Sequence, residues 1–410
     1  MKDQQKIAQE PSASPDTQST LPGLEAFAEA FEILLEAGSE TIEKLCTIPV
    51  SLERFVTMLR HSKGSGTIHI TGMGRSGKVG MLFGELLKTE GFNVSYIGKT
   101  YARPVRFGDL AVGFSGSGWT KTTAYNLEDC IRVGAKVASF VGDPLSKVAR
   151  LSDVLITIPS HSEGRKRPTS YVKRNIEGIA PPLTPMGTVF EITSMLVASG
   201  ISACLEDTTI SLPVADVFSR VCNQIIQQAR LTKKYLEHTG SLQELIDELA
   251  RKATHAYSHR TNKVYVLGTG MSGIVASMAA VRGQHVGINI QSEYDWRFRN
   301  QDDVLLAISG SGETSNILTY AQSAAVSGMK IMAITSFADS QLAQLADNVI
   351  LVSGRKEKIS EYDKEIWDSK SLVPSFEYSA AVVLDSIVAQ IALSLKIDEE
   401  SMKKEHANVQ

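Results

Sequence analysis

Two short stretches of this 410-residue chain carry hydroxyls and glycines at a spacing suited to holding an anion: Ser115-Gly116-Ser117-Gly118-Trp119-Thr120 and Ser309-Gly310-Ser311-Gly312-Glu313-Thr314. Glycine lets backbone approach a ligand closely. The unpaired N–H groups of a helix's first turn, at the positive end of its dipole, favour phosphate. Serine and threonine hydroxyls add donors without a fixed charge. An ordinary helix cap needs one hydroxyl, whereas each stretch places three within six residues. Phosphate binding is the better reading of both.

A second pair of motifs, GMGRSG (Gly72–Gly77) and GTGMSG (Gly268–Gly273), fits G-x-G-x-x-G between a strand and a helix. That pattern serves dinucleotides, and equally serves a tight turn with no ligand. A nicotinamide cofactor wants a carboxylate at the end of the next strand, and Tyr96-Ile97-Gly98-Lys99 supplies none, which disfavours it. A third feature is the run Ala180-Pro181-Pro182-Leu183-Thr184-Pro185-Met186-Gly187-Thr188-Val189-Phe190-Glu191. Its prolines fix an extended loop before an apolar helix. Glu191, in that helix's first turn, is either a dipole-favoured carboxylate or a proton-transferring base, and its position alone favours the former.

The elements that must carry these motifs read as a doubly wound parallel α/β sheet, and the whole set occurs twice. In the first half strands are predicted at Gly66–Thr71, Asn93–Ile97, Leu110–Phe114, Lys136–Val141 and Val154–Ile158, with helices from Lys78, from Thr120 and near Leu145–Leu151. In the second, strands are predicted at Lys263–Leu267, His285–Ile290, Asp303–Ile308, Lys330–Thr335 and Asn348–Val352. The glycine turns lie 196 residues apart (Gly72 and Gly268) and the serine loops 194 (Ser115 and Ser309). Two separate motifs at nearly one offset indicate an internal duplication. Ahead of the first sheet, Leu24–Arg60 has helical apolar spacing that Gly38 is expected to interrupt; a further helical stretch spans about Ala215–Tyr257.

Composition narrows the function classes. A net charge of −3 offers no field for nucleic acid or an anionic membrane. Cys46, Cys130, Cys204 and Cys222 show no metal or disulfide spacing and read as reduced thiols. No apolar run of about 18 residues is evident and the polar N-terminus lacks a signal's apolar core, so a cytoplasmic location is expected. Of the histidines, His69 reads as a core residue and His255 and His259 as surface groups near the second sheet; the basic run Arg165–Arg174 reads as a solvated loop.

GMGRSG, SGSG-x-T and APPLTPMGTVFE, in this order and at these separations, resemble the 6-phospho-3-hexuloisomerase family of the sugar-isomerase (SIS) domain group. The resemblance spans about Ser51–Ala203. The second half is similar through its sheet and loops but keeps only Val373-Pro374-Ser375-Phe376-Glu377 of the proline segment. It implies two flavodoxin-like SIS domains, at about 24–205 and 215–396; residues 1–22, rich in Gln, Ser, Thr and Pro, are expected to be disordered, and a charged tail (397–410) follows. It also implies that Ser115, Gly116, Ser117, Gly118 and Thr120, and by repetition Ser309, Gly310, Ser311, Gly312 and Thr314, hold a sugar's phosphate. Arg75 and Ser76, with Ser272 in the second half, would lie near the sugar or its phosphate, and Glu191 and Glu377 would be the bases. The implied reaction interconverts a 3-ketohexose 6-phosphate and fructose 6-phosphate, with no cofactor and no metal. An aldose–ketose isomerase acting on another sugar phosphate, and a non-catalytic sugar-phosphate sensor, are the alternatives. The chain departs from the family where Ala180 replaces a frequent histidine, Trp119 a frequent glutamate, and Met271 the turn arginine. Because SIS domains pair and share sites, these departures suggest that the two halves pair internally and form one composite site from Arg75, Glu191 and Ser309–Thr314. Whole chains could in turn form a homodimer.

Overall fold

A computed structural model describes residues 23–159, 183–184, 187–206, 212–253, 263–292, 300–354, 373–398 and 401–402. The N-terminal tail, the basic run, Ala180–Pro182, His255 and His259 lie outside these residues. Two helices lead in, α1 (Glu25–Thr47) and α2 (Val50–Ser62). The first half continues with β1 (Ile68–Gly72), α3 (Gly74–Thr89), β2 (Val94–Tyr96), β3 (Leu110–Ser115) and α4 (Lys121–Val133). It ends with β4 (Lys136–Val141), α5 (Lys147–Arg150), β5 (Val154–Thr157) and α6 (Thr188–Ala203). Helices α7 (Val214–Leu236) and α8 (Gly240–Arg251) lead to the second half. There follow β6 (Val264–Gly268), α9 (Gly270–His285), β7 (Ile290–Gln291), β8 (Val304–Ile308) and α10 (Ser315–Val326). Last come β9 (Lys330–Thr335), α11 (Gln341–Leu345), β10 (Asn348–Leu351) and α12 (Ser375–Ser394).

Both sheets are five-stranded and parallel throughout, ordered β2-β1-β3-β4-β5 and β7-β6-β8-β9-β10. The central strands are buried on both faces (β3 and β8 completely), as their runs of Val, Leu, Ile and Ala require. Strand order reverses between β1 and β3 in one half and between β6 and β8 in the other. In such sheets ligands bind beyond the carboxyl ends of strands at that reversal. The register pairs Gly72 with Phe114 and Gly268 with Ile308, so each glycine turn leaves its sheet beside a serine loop.

The halves share one apolar core. Helices α3 and α9 pack on each other, and α12 packs on α1, α6, α7 and α9. Helices α6 and α12 are buried on all sides along most of their length, which explains compositions apolar all round. Contrary to the sequence reading, α12 is long and apolar enough to cross a bilayer; here it is a core helix. The Gln390 side chain of α12 accepts hydrogen bonds from Ala26 N and Phe27 N at 3.1 Å, capping α1, which has no side-chain cap from its own Leu24.

Three further expectations change. Gly38 does not break α1; a Cβ there would come within 2.8 Å of Leu196 Cδ2, so the glycine leaves room for a side chain of α6. Helix α3 begins at Gly74 rather than Lys78, because Gly74 takes a left-handed φ of 55° and starts the helix inside the motif. His285 ends α9 instead of opening a strand, and β7 is only two residues long. In the C-terminal segment Ile397 and Met402 are buried in the core.

Candidate active site

The glycine turns are closed by contacts only glycine allows. A Cβ on Gly77 would lie 2.5 Å from Gly72 O, and one on Gly268 would lie 2.5 Å from Ser272 O. Residues 75, 76, 271 and 272 therefore sit in the first turns of α3 and α9.

The serine loops have nearly identical internal geometry. Ser115 Oγ donates to Thr120 Oγ1 at 3.1 Å, and the Ser309 and Thr314 hydroxyls are 3.0 Å apart. Trp119 N donates to Ser117 Oγ at 3.1 Å, and Glu313 N to Ser311 Oγ at 3.2 Å. Each loop is tied to its neighbouring strand, Gly142 N to Gly116 O in one and Ser336 N to Gly310 O in the other. Gly118 and Gly312 have φ of 71° and 66°, and their missing Cβ atoms leave room for Ser146 and Ser340, which cap α5 and α11. Neither Thr120 nor Thr314 caps its helix through its side chain. The threonines thus engage serine hydroxyls, and the first amides of α4 and α10 keep the arrangement that suits an anion. Trp119 is exposed and donates from Nε1 to Asp143 Oδ2 at 3.0 Å; Glu313 makes the matching link by accepting from Gln341 N at 2.8 Å. The tryptophan serves as a loop clamp on the surface.

Glu191 stands in the first turn of α6, following Gly187 in a left-handed conformation. A Cβ on Gly116 would touch the Phe190 ring at 3.3 Å, so the first serine loop and the start of α6 are in contact. Glu191 Oε2 lies 3.6 Å from Arg75 Nη1 and 3.5 Å from Arg282 Nη2. Arg75 Nη2 donates to Asp385 Oδ2, and Arg282 Nε lies 3.9 Å from Asp385 Oδ1. Each guanidinium meets both carboxylates, and the four charges sum to zero. All four residues are more than nine-tenths buried. Burial works against the Arg75 charge, but Asp385 and Glu191 outweigh it and hold its pKa above the ordinary arginine value.

The sequence-derived residues divide accordingly. Arg75 and Glu191 come together in this ring, while Ser115, Gly116, Ser117, Gly118 and Thr120 form the adjoining loop. Ser76 follows Arg75 in the α3 turn. In the second half Ser272 Oγ donates to Glu377 Oε1 at 3.1 Å, joining the glycine turn to the start of α12. Ser309, Gly310, Ser311, Gly312 and Thr314 form the second loop. Sequence reasoning missed Arg282 and Asp385. Their signal was a lone charge inside an apolar helix, Ala-Ala-Val-Arg and Val-Val-Leu-Asp, since such residues stay buried only when paired.

The SIS domain family model matches residues 61–172 and 259–371. The 3-hexulose-6-phosphate isomerase of Mycobacterium gastri is 32% identical over 151 residues, 36% of this chain and 74% of that protein. Tagatose-6-phosphate ketose/aldose isomerase from Escherichia coli shares the fold at 11% identity, with a TM-score of 0.61 over 96% of this chain and 98% of that one. So does the C-terminal domain of glucosamine-fructose-6-phosphate aminotransferase from Francisella tularensis, at 15% identity and a TM-score of 0.60, covering 92% of this chain and 96% of that one.

Proposed function

Since this chain belongs to the SIS domain family, with sugar-phosphate isomerases among its relatives, we propose that it interconverts a 3-hexulose 6-phosphate and fructose 6-phosphate, with Glu191 as the base. The observation that supports this reading best is the contact of Phe190 with Gly116, which sets the start of α6, one residue before Glu191, against a loop suited to phosphate. The serine loop holds the phosphate, and that remote binding positions the sugar's carbonyl end. The Glu191 carboxylate takes the proton from C2 of the 3-ketose, giving a 2,3-enediol, and returns it at C3 while a hydroxyl proton passes between O2 and O3. Arg75, beside Glu191, supplies positive charge near the developing oxyanion. Protons only are moved, so the step needs no redox partner.

The test is exchange of solvent deuterium into fructose 6-phosphate followed by NMR. Exchange at C3 that is lost in Glu191→Gln supports the keto-to-keto reaction. Exchange at C1 instead would identify an aldose–ketose isomerase. Thermal stabilisation by the sugar phosphate with no exchange would make the protein a sensor and overturn the proposal.

A further inference from the structure

The ring of Arg75, Glu191, Arg282 and Asp385 joins the two halves with one cation and one anion from each. We propose that Arg282 and Asp385 are positioning residues, through which the second half sets the orientation of Arg75 and Glu191 in a single, first-half site. This rests on the reading of Glu191 as the base.

The repeat itself provides the contrast. Carried across the duplication, Arg75 corresponds to Met271, Glu191 to Glu377, Arg282 to Leu86 and Asp385 to Ser199. The twofold-related positions therefore hold one charge instead of four, and that charge, Glu377, accepts from Ser272 of its own half. The fold can evidently close this seam without an ionic ring, since it does so once. A buried ion pair is in general a poor source of stability compared with apolar packing. What four alternating charges do provide is a fixed geometry, because displacing any one leaves an uncompensated charge in an apolar seam. The ring holds Glu191 through Oε2; its Oε1 lies on the side of Gly187, 3.5 Å from where a Cβ of that glycine would be, at the opening of α6. A further titratable group beside the ring is His285, whose Nδ1 lies 3.5 Å from Arg282 Nη1.

Asp385→Asn keeps the shape of the side chain and removes its charge. Misplacement of a reacting group by about 1 Å costs on the order of 100-fold, so kcat for fructose 6-phosphate conversion is expected to fall by about that factor. KM is expected to change less than about threefold, because the serine loops are untouched and remote phosphate binding is retained. Asp385→Glu should recover part of the loss. A lowered Tm with kcat intact in both Asp385→Asn and Arg282→Lys would make the ring a structural lock only and overturn the proposal. A second measurement does not depend on turnover: the Glu191 carboxyl carbon is followed by NMR through a pH titration. Replacing Arg282 by Met removes a cation beside Glu191 and is expected to raise its midpoint by about one unit or more; should this variant not fold, Arg282→Lys replaces it, with a smaller displacement expected. An unmoved titration overturns the proposal. Absence of exchange in the wild-type protein would refute the isomerase function instead, and the titration would still decide whether the second half controls Glu191.

Discussion

The two halves share strand order, strand pairing, serine-loop hydrogen bonds and left-handed glycines, and yet differ in core filling and in charge. In the first half Phe83, Phe114 and Phe140 pack ring against ring, Phe114 stacking on Phe140 at 4.5 Å. Their counterparts in the second half are Ala279, Ile308 and Ile334, and the sheet there closes with aliphatic side chains. His69, whose Nε2 meets Asp109 Oδ2 at 2.9 Å, is matched by a fully buried Tyr265. Features shared by both halves are those the backbone needs to turn from strand to helix. The features that differ fill volume or carry charge. A duplicated sheet tolerates exchange of side chains of suitable size, but it cannot lose a glycine where a Cβ would meet another backbone. The difference therefore separates what the fold requires from what one site requires.

The sharpest break in the comparison is chemical. Glu191→Gln is expected to lower turnover of fructose 6-phosphate by about 100- to 10,000-fold, the usual share of a general base, and Glu377→Gln by less than about tenfold. Equal losses in steady-state kinetics would mean two equivalent sites. Next come the shared glycines. Gly118→Ala and Gly312→Ala should each cost about 2 kcal/mol in urea unfolding, since both have positive φ and an occupied Cβ position. Unequal losses would show that the loops are not equivalent.

A smaller effect distinguishes the carboxylates that begin β3 and β8. Asp109 is buried, which disfavours its charge, but hydrogen bonds from Thr67 N, His69 and Arg106 N prevail and lower its pKa. Its contribution is therefore present above the unfolded value of about 3.9 and is lost as pH falls through the lower folded value. Asp109→Asn should cost about 1 to 3 kcal/mol at pH 7, and the gap from wild type should narrow below about pH 4. Asp303, which accepts from Lys263 N and Asn300 N, should lose less on the same change. The smallest effect is at the loop clamp. Trp119→Glu installs the residue of the second loop and should alter KM for the sugar phosphate by less than about threefold, because the indole points to Asp143.

Much of this was legible in the residues. Apolar runs punctuated by Gly and Asp gave nearly every strand, Lys136–Val141 and Lys330–Thr335 to the residue. Motif spacing gave the duplication and the position of each loop at a strand's end. Helix starts and small-residue contacts were less legible. Gly38 reads as a breaker because its partner, Leu196, is 158 residues away, and the start of α3 at Gly74 is hidden because a glycine's φ is not written in its identity. His285 reads as the start of a strand because a helix end and a strand start share apolar neighbours.

The sequence by itself determined the local backbone: strands from β-branched and aliphatic runs and tight turns from glycines, since these depend on residues a few positions apart. Only the tertiary structure decided the electrostatic surroundings of Glu191. Arg75, Arg282 and Asp385 are far apart in the chain, and they meet because α3, α6, α9 and α12 share one apolar seam. There charges persist only in each other's company, so the fold selects their partners where sequence spacing cannot.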